Sequence, residues 1–184
     1  MGVRVFFAVK LVEPIYSIIE TVLLNLQQKL SIPIRWSAAE NLHVTLAFLG
    51  QIEAEDIERL IQYASLELEN QRAFYLKFQR LKLFPNKRHP RIISLGVASN
   101  PNLNAMAAGL KQAILNLNYS IETRPFRAHL TLGRIKNVHP TDDLLEPIAL
   151  PFIPPMPVKE IHLLKSRPSQ TCSDYTSLAQ FALN

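Results

Sequence analysis

Two segments 86 residues apart constrain this chain more than anything else in it. ENLHVTLAFLG at 40–50 and FRAHLTLGRIK at 126–136 carry the same His-x-Thr-Leu at the same place in an apolar run, each roughly a dozen residues after an amphipathic segment. A helix-then-strand unit that occurs twice implies two similar halves related by an approximate two-fold, with the motif strands side by side or face to face across a central groove. Side chains of a strand alternate faces. His43 therefore shares a face with Thr45, and His129 with Thr131, while Val44, Leu46, Leu130 and Leu132 point into a core.

The rest of the chain supplies elements for such halves. Residues 3–9 are rich in β-branched and aromatic side chains and read as a strand. After Pro14, apolar residues recur at three and four from Ile15 to Leu30, predicting a helix over 14–30. A strand at 42–49, closed by Gly50, precedes a helix at 53–69 whose acidic first turn suits the helix dipole. Strands at 73–83 and 91–98 flank the turn-prone FPNKRHP as a hairpin with a long basic loop. A helix at 101–118 and a strand at 127–135 repeat the earlier order. The proline-rich run from 140 to 157 reads as a connection with a short helical turn, because proline removes backbone donors. Strands at 158–166 and 174–183 end the pattern. The expected class is α+β: one domain over 1–184 made of two pseudo-symmetric lobes, with antiparallel sheets lining the groove and helices outside.

Composition narrows the setting. Of 184 residues 48% are hydrophobic and 19% charged, and no apolar run approaches the roughly 18 residues of a membrane span. The N-terminus lacks the long apolar core and cleavage site of a secretory signal. Cys172 is the only cysteine, so no intrachain disulfide and no cysteine-based zinc site can form. A cytoplasmic protein is expected, without membrane association and monomeric. Twenty Lys and Arg against 15 Asp and Glu favour an anionic partner. The bases cluster: Arg72, Lys77, Arg80, Lys82, Lys87, Arg88 and Arg91 fall in one stretch without an acid, whereas Glu53 to Glu69 holds six acids and one base. The basic stretch suits the rim of a phosphate-binding groove, and the acidic one a helix facing away.

Two histidines and two threonines converging on one volume supply an acid, a base and two neutral donors. One neutral imidazole can take a proton from an attacking oxygen while a protonated one gives a proton to a leaving oxygen, and an unperturbed pKa of about 6.5 lets both forms exist near neutrality. Threonine hydroxyls can hold non-bridging phosphate oxygens, and a guanidinium can balance transition-state charge. Zinc is the competing use of a histidine cluster, but neither H-E-x-x-H nor cysteine pairs are present. No metal or other cofactor is expected.

HVTL at 43–46 and HLTL at 129–132 resemble the signature of the two-histidine (2H) phosphoesterases. The longer strings RWSAAENLHVTLAFLG, RPFRAHLTLGR and LLKSR…YTSLAQFAL resemble one branch, the RNA 2′,3′-cyclic phosphodiesterases, historically called 2′-5′ RNA ligases. The resemblance implies hydrolysis of RNA or nucleoside 2′,3′-cyclic phosphate ends to 2′-phosphomonoesters, together with reversible 2′-5′ RNA ligation. It implies His43 as proton donor, His129 as proton acceptor, and Thr45 and Thr131 as phosphate binders. It also implies Phe48 stacking on the nucleobase and Arg134 contacting phosphate. Both lie five residues after their histidine, an odd offset that places them on the wrong face unless the strands bend or bulge near Gly50 and Gly133. Arg167 and Tyr175 fall in strings like the family's closing motif and are expected to shape the groove or a strand turn.

Three alternatives share these residues: a phosphodiesterase for linear 2′-5′ oligonucleotides, one for ADP-ribose cyclic phosphate, and a non-catalytic RNA-binding module. His89 reads as a solvated loop residue, His139 as part of a turn before Pro140, and His162 as facing groove or solvent without a catalytic part. QRLKLFPNKRHP is more basic than the family's glycine-rich approach to the Phe-Pro pair, which bears on RNA-end preference.

Overall fold

Thirteen regular elements beyond short 3₁₀ turns occur among the described residues of the computed structural model, which are 2–86, 89–138, 140–141, 143–168 and 173–184. Lys87, Arg88, His139 and Cys172 lie outside them. The order is β1 (Gly2–Lys10), α1 (Ile15–Lys29), β2 (Ile34–Trp36), β3 (His43–Glu53), α2 (Ile57–Leu68), β4 (Phe74–Leu76), β5 (Phe78–Phe84), β6 (Ile92–Val97), α3 (Pro101–Leu115), β7 (His129–Ile135), β8 (Met156–Val158), β9 (Glu160–Pro168) and β10 (Ser173–Ala182). The expected α+β class holds, and the strands of the two halves join one sheet, in the order β10-β9-β1-β3-β7-β6-β5 with β2 also on β7. β4 and β8 form a separate two-stranded sheet.

The two-fold is written in the pairing. β3 and β7 meet at one register pair, Val44 opposite Leu130, the equivalent residues of the two motifs. On either side the ladders match. Ala8, Val9 and Lys10 of β1 stand opposite Thr45, Val44 and His43, and Ser94, Leu95 and Gly96 of β6 stand opposite Thr131, Leu130 and His129. Each half is thus strand, helix, antiparallel motif strand: β1-α1-β3 and β6-α3-β7.

One face of this sheet is covered. Val5, Phe7, Val9, Val44, Leu46, Leu130 and Leu132 join one apolar cluster with Ile15, Ile19, Leu26, Leu103, Met106 and Leu110 of the helices. The other strand face carries only a small cluster, Phe6, Ala8 and Leu164 with Tyr175 against it, so the histidine face is left open. Helix α3 starts where Pro101 follows Asn100, whose side-chain oxygen accepts from the Asn102 and Leu103 amides at 2.9 and 3.2 Å.

The structure moves several predicted boundaries. β3 does not stop at Gly50 but runs to Glu53, because Gly50 takes a positive φ of 80° and the strand shifts register there while staying on β1. The following helix accordingly begins at Ile57, after a 3₁₀ turn at Ala54–Asp56. β2 was not predicted, being three residues long with a proline before it. β8 lies inside the proline-rich run, and Pro157 is accommodated opposite Tyr75 in a ladder with only one neighbouring strand. Turns at Asp143–Ile148 precede it.

β2 explains Gly133. A Cβ there would lie 2.6 Å from Ile34 Cγ2 and 2.9 Å from Trp36 Cε3, so the glycine admits β2 and its indole against β7. Gly133→Ala is expected to lower stability by roughly 1–3 kcal/mol, several degrees in thermal midpoint by calorimetry; an unchanged midpoint would mean that β2 can lift at no cost.

Candidate active site

Each motif strand carries a bulge at the same place. Phe7 pairs with Ala47 and Ala8 with Thr45, leaving Leu46 over; Ile93 pairs with Gly133 and Ser94 with Thr131, leaving Leu132 over. An extra residue reverses the alternation. In β3 both Leu46 and Ala47 are buried and Phe48 emerges 44% exposed; in β7 Leu132 and Gly133 are buried and Arg134 emerges. The odd offset of Phe48 and Arg134 is thereby cancelled, and both stand on the histidine face. The bend comes at Leu46/Ala47 and Leu132/Gly133, four residues before Gly50 in the first half.

The imidazoles are held in matching ways. His43 Nδ1 lies 2.6 Å from the Asn41 carbonyl oxygen, and His129 Nδ1 lies 2.7 Å from that of Arg127, in each case two residues back. A carbonyl only accepts, so Nδ1 carries the proton in both rings and Nε2 is the atom left for chemistry. In neutral His43, Nε2 accepts from the Thr45 hydroxyl at 3.1 Å. Burial pushes both imidazoles below the ordinary histidine value. The carbonyl bonds oppose this, while positive charge on His129 and Lys10 lowers His43 further, and Arg127 and Arg134 lower His129 further. The histidines are therefore close enough that a proton on one discourages a proton on the other.

Rings fix their orientation. Phe6 lies 4.9 Å from His43 between centroids, and Tyr175 meets the same imidazole edge-on at 5.3 Å. His129 stacks on Phe84 at 4.3 Å, and the Arg127 guanidinium covers that phenyl ring at 5.1 Å. Beyond their one register pair, β3 and β7 diverge, and β2 takes the vacated edge of β7. A cleft of about 520 Å³ opens there, with Arg4, Phe6, His43, Thr45 and Phe48 on the β1–β3 side and Arg35, Trp36, Thr131 and Arg134 on the β2–β7 side. His129 lines an adjoining recess of about 250 Å³ with Lys82, Phe84 and Arg127.

Thr45, Thr131, Phe48 and Arg134 thus share one cleft with His43, and His129 stands at its border. Of the basic stretch, Lys82 reaches the recess beside His129, and Arg80 with Lys82 lines a further hollow. Tyr175 contacts His43, whereas Arg167 does not line the cleft. His162 stands opposite Ala8, on the histidine side of the sheet, but lines neither the cleft nor the surface: it is 6% exposed and its Nε2 lies 2.9 Å from Glu160. Sequence reasoning missed Arg4, Phe6, Arg35, Trp36, Phe84 and Arg127. The Arg35-Trp36-Ser37 run just before the first motif was the available signal; Ser37 ties it to β7 by donating from its hydroxyl to the Thr131 carbonyl at 3.0 Å.

Comparison with known proteins agrees with the geometry. The family profile described as LigT like phosphoesterase matches residues 18–94 and again 95–172. An RNA 2′,3′-cyclic phosphodiesterase of Archaeoglobus fulgidus is 31% identical over 128 residues, 69% of this chain and 71% of the relative. One from Methanothermobacter thermautotrophicus is 27% identical over the whole of both chains. Among solved structures, E. coli LigT complexed with 3′-AMP superimposes with a TM-score of 0.77 at 27% identity, covering 100% of this chain and 99% of that one. A Thermus thermophilus protein, TT0787, gives 0.80 at 25% identity, covering 98% and 97%. Its two motif strands, paired at equivalent residues and matched twice by one family profile, make this chain a member of the LigT-like phosphoesterases, a two-histidine family that includes RNA 2′,3′-cyclic phosphodiesterases.

Proposed function

We propose that this chain hydrolyses 2′,3′-cyclic phosphate ends of RNA or nucleotides to 2′-phosphomonoesters, using two histidines as acid and base and no metal. The observation that carries the reading is the paired imidazole geometry: two Nε2 atoms, each made available by a backbone carbonyl on Nδ1, on one face with two threonine hydroxyls. His129 Nε2 takes a proton from water as its oxygen attacks phosphorus. The bond from phosphorus to the ribose 3′ oxygen breaks, and His43 Nε2–H gives that oxygen a proton. Thr45 and Thr131 hold the non-bridging oxygens, and Arg134 balances the charge that builds on them.

The assignment of acid and base rests on the asymmetry at the duplicated bulge. An otherwise symmetric pair of histidines would accept substrate either way round. Phe48 on one side offers a stacking platform for a base, and Arg134 on the other a cation, so the nucleoside points one way. With a ribose 5′-hydroxyl in place of water as nucleophile, the same groups would form a 2′-5′ linkage as the bond to the 3′ oxygen breaks, and in reverse the 3′-hydroxyl would displace the 5′ oxygen and restore the cyclic phosphate. Both halves contribute a histidine and a threonine, so we take 1–184 as one catalytic unit.

His43→Ala and His129→Ala are each expected to lower kcat on a nucleoside 2′,3′-cyclic phosphate by about 10²–10⁴-fold, with wild-type turnover unchanged by EDTA and a 2′-phosphate as product. A substrate whose 3′ leaving atom is sulfur needs no proton, so it is expected to restore turnover to His43→Ala and not to His129→Ala. Loss of activity in chelator, or a 3′-phosphate product, would overturn the mechanism.

The pH profile follows from the lowered imidazoles. The acid limb reports protonation of the base and the alkaline limb loss of the proton from the acid. Both groups titrate below about 6.5 in the free protein, so kcat/KM is expected to peak on the acid side of that value and decline toward pH 8. An anionic phosphate favours imidazolium, so the limbs in kcat move upward. A kcat/KM optimum in the alkaline range would contradict this assignment.

Phe48→Ala removes the base platform and leaves the proton-transfer groups in place. It is expected to raise KM by roughly 5–100-fold, in line with about 1–3 kcal/mol for a base–aromatic stack, with a much smaller effect on kcat; the reverse split would place Phe48 among the groups acting in the transition state.

A further inference from the structure

Three arginines, Arg4, Arg35 and Arg134, line the cleft that holds His43, and no acidic side chain does. All three are exposed, and among the described residues none of them pairs with a carboxylate. Arg35 and Arg134 are direct partners in the β2–β7 ladder. Side chains directly opposite in an antiparallel pair project from one face with Cβ atoms about 4.5–5.5 Å apart, and like charges so placed repel. An unliganded sheet gains nothing from such a pair. An anion above it gains from both.

The charge exceeds what the reaction needs. A cyclic phosphate diester carries one negative charge, which Arg134 and an imidazolium already meet. Arg4 and Arg35 are left over, on opposite sides of the cleft. Their place along the groove is informative. On β1, Ala8 stands opposite Thr45 and Phe6 opposite Phe48, and Arg4 lies two residues further toward the N-terminus. At about 3.3 Å per residue, the Arg4 backbone lies about 13 Å beyond the row that holds the scissile phosphate. Its guanidinium carbon lies over the Phe48 ring, 5.0 Å from the ring centre.

We propose that Arg4 and Arg35 form a second phosphate site, which holds the 5′-phosphate of the nucleotide whose 2′,3′-cyclic phosphate lies between the histidines. This rests on the activity proposed above and adds to it the residues that select, among cyclic ends, those that also carry a 5′-phosphoryl group, whether a nucleotide 5′-monoester or the phosphodiester of an RNA chain. Guanidinium forks suit either, since both present two non-bridging oxygens.

The test compares kcat/KM on adenosine 2′,3′-cyclic phosphate, on its 5′-phosphorylated form and on a dinucleotide ending in a 2′,3′-cyclic phosphate. The 5′-phosphorylated substrates are expected to exceed the nucleoside by about tenfold or more, and Arg35→Gln or Arg4→Gln to cut that ratio by about tenfold. Preference for the dinucleotide identifies RNA backbone as the natural occupant, and preference for the monoester a free nucleotide. Arg35→Gln also relieves like-charge repulsion, so its thermal midpoint is expected to stay at or above that of wild type. A ratio unchanged in both variants overturns the site.

Calorimetric titration separates this site from the activity itself. Adenosine 2′,5′-bisphosphate is expected to bind about tenfold tighter than adenosine 2′-monophosphate, with a salt slope steeper by about 0.7 for one more phosphate contact, and Arg35→Gln to remove both differences. Were no cyclic phosphate turned over while the binding difference held, the proposed activity would fall and the second site stand. Equal affinities for the two ligands would overturn the second site whatever the turnover.

Discussion

The pairing of Val44 with Leu130 is the contact on which the site depends. These are the middle residues of the two motifs, and their side chains go into the core. Because the strand alternates, burying them compels the flanking His43, Thr45, His129 and Thr131 onto the opposite face. The hydrophobic effect that seals the sheet onto its helices thus also points the polar residues. A slip of one residue in either strand would send a histidine into the core and expose a leucine, which makes the register strongly specified. That β3 and β7 touch at a single pair is equally important, since their divergence leaves the wedge that becomes the cleft.

Around this contact the two halves repeat backbone and differ in side chains. The bulges at Leu46 and Leu132 are equivalent, and so are the carbonyls of Asn41 and Arg127 that orient the imidazoles. Identical backbone devices give two histidines with the same tautomer, which alone would make a symmetric site. The side chains that follow each bulge break the symmetry: an aromatic ring in one half, a guanidinium in the other. The stacking partners differ too, with Phe6 and Tyr175 around His43 and Phe84 beneath His129. β2 adds to one half a strand that pairs with β7, bringing Arg35 beside Arg134, and Gly133 is the residue that admits it.

Much of this was legible beforehand because it rests on local rules. The repeat, the alternation within each motif and the helical periodicities of α1 and α3 follow from sequence spacing, and they led to the α+β class, the duplicated halves and a shared face for the four motif residues. The difficulty with Phe48 and Arg134 was legible as well, as an odd offset that needed a bulge. Its location was not. A bulge depends on where the pairing skips a residue, and Phe7 and Ile93 lie 40 residues before Ala47 and Gly133, the residues they face. The missed boundary at Gly50 has the same origin, since β1 holds that strand in the sheet to Glu53.

By itself the sequence determined the composition of the histidine face: two histidines and two threonines, twice spaced by two, with apolar residues between them that had to be buried. Tertiary structure decided what stands around that face. Arg4, Arg35 and Trp36 come from strands whose neighbours are distant in the chain, Phe84 meets His129 only by stacking on it, and His162, alike in type to the motif histidines, is buried against Glu160 instead. Side-chain alternation is a property of a single strand and can be read from spacing. Which strands lie together, and where one of them skips a residue, is set by pairing across the sheet, where contacts form between residues that spacing does not relate.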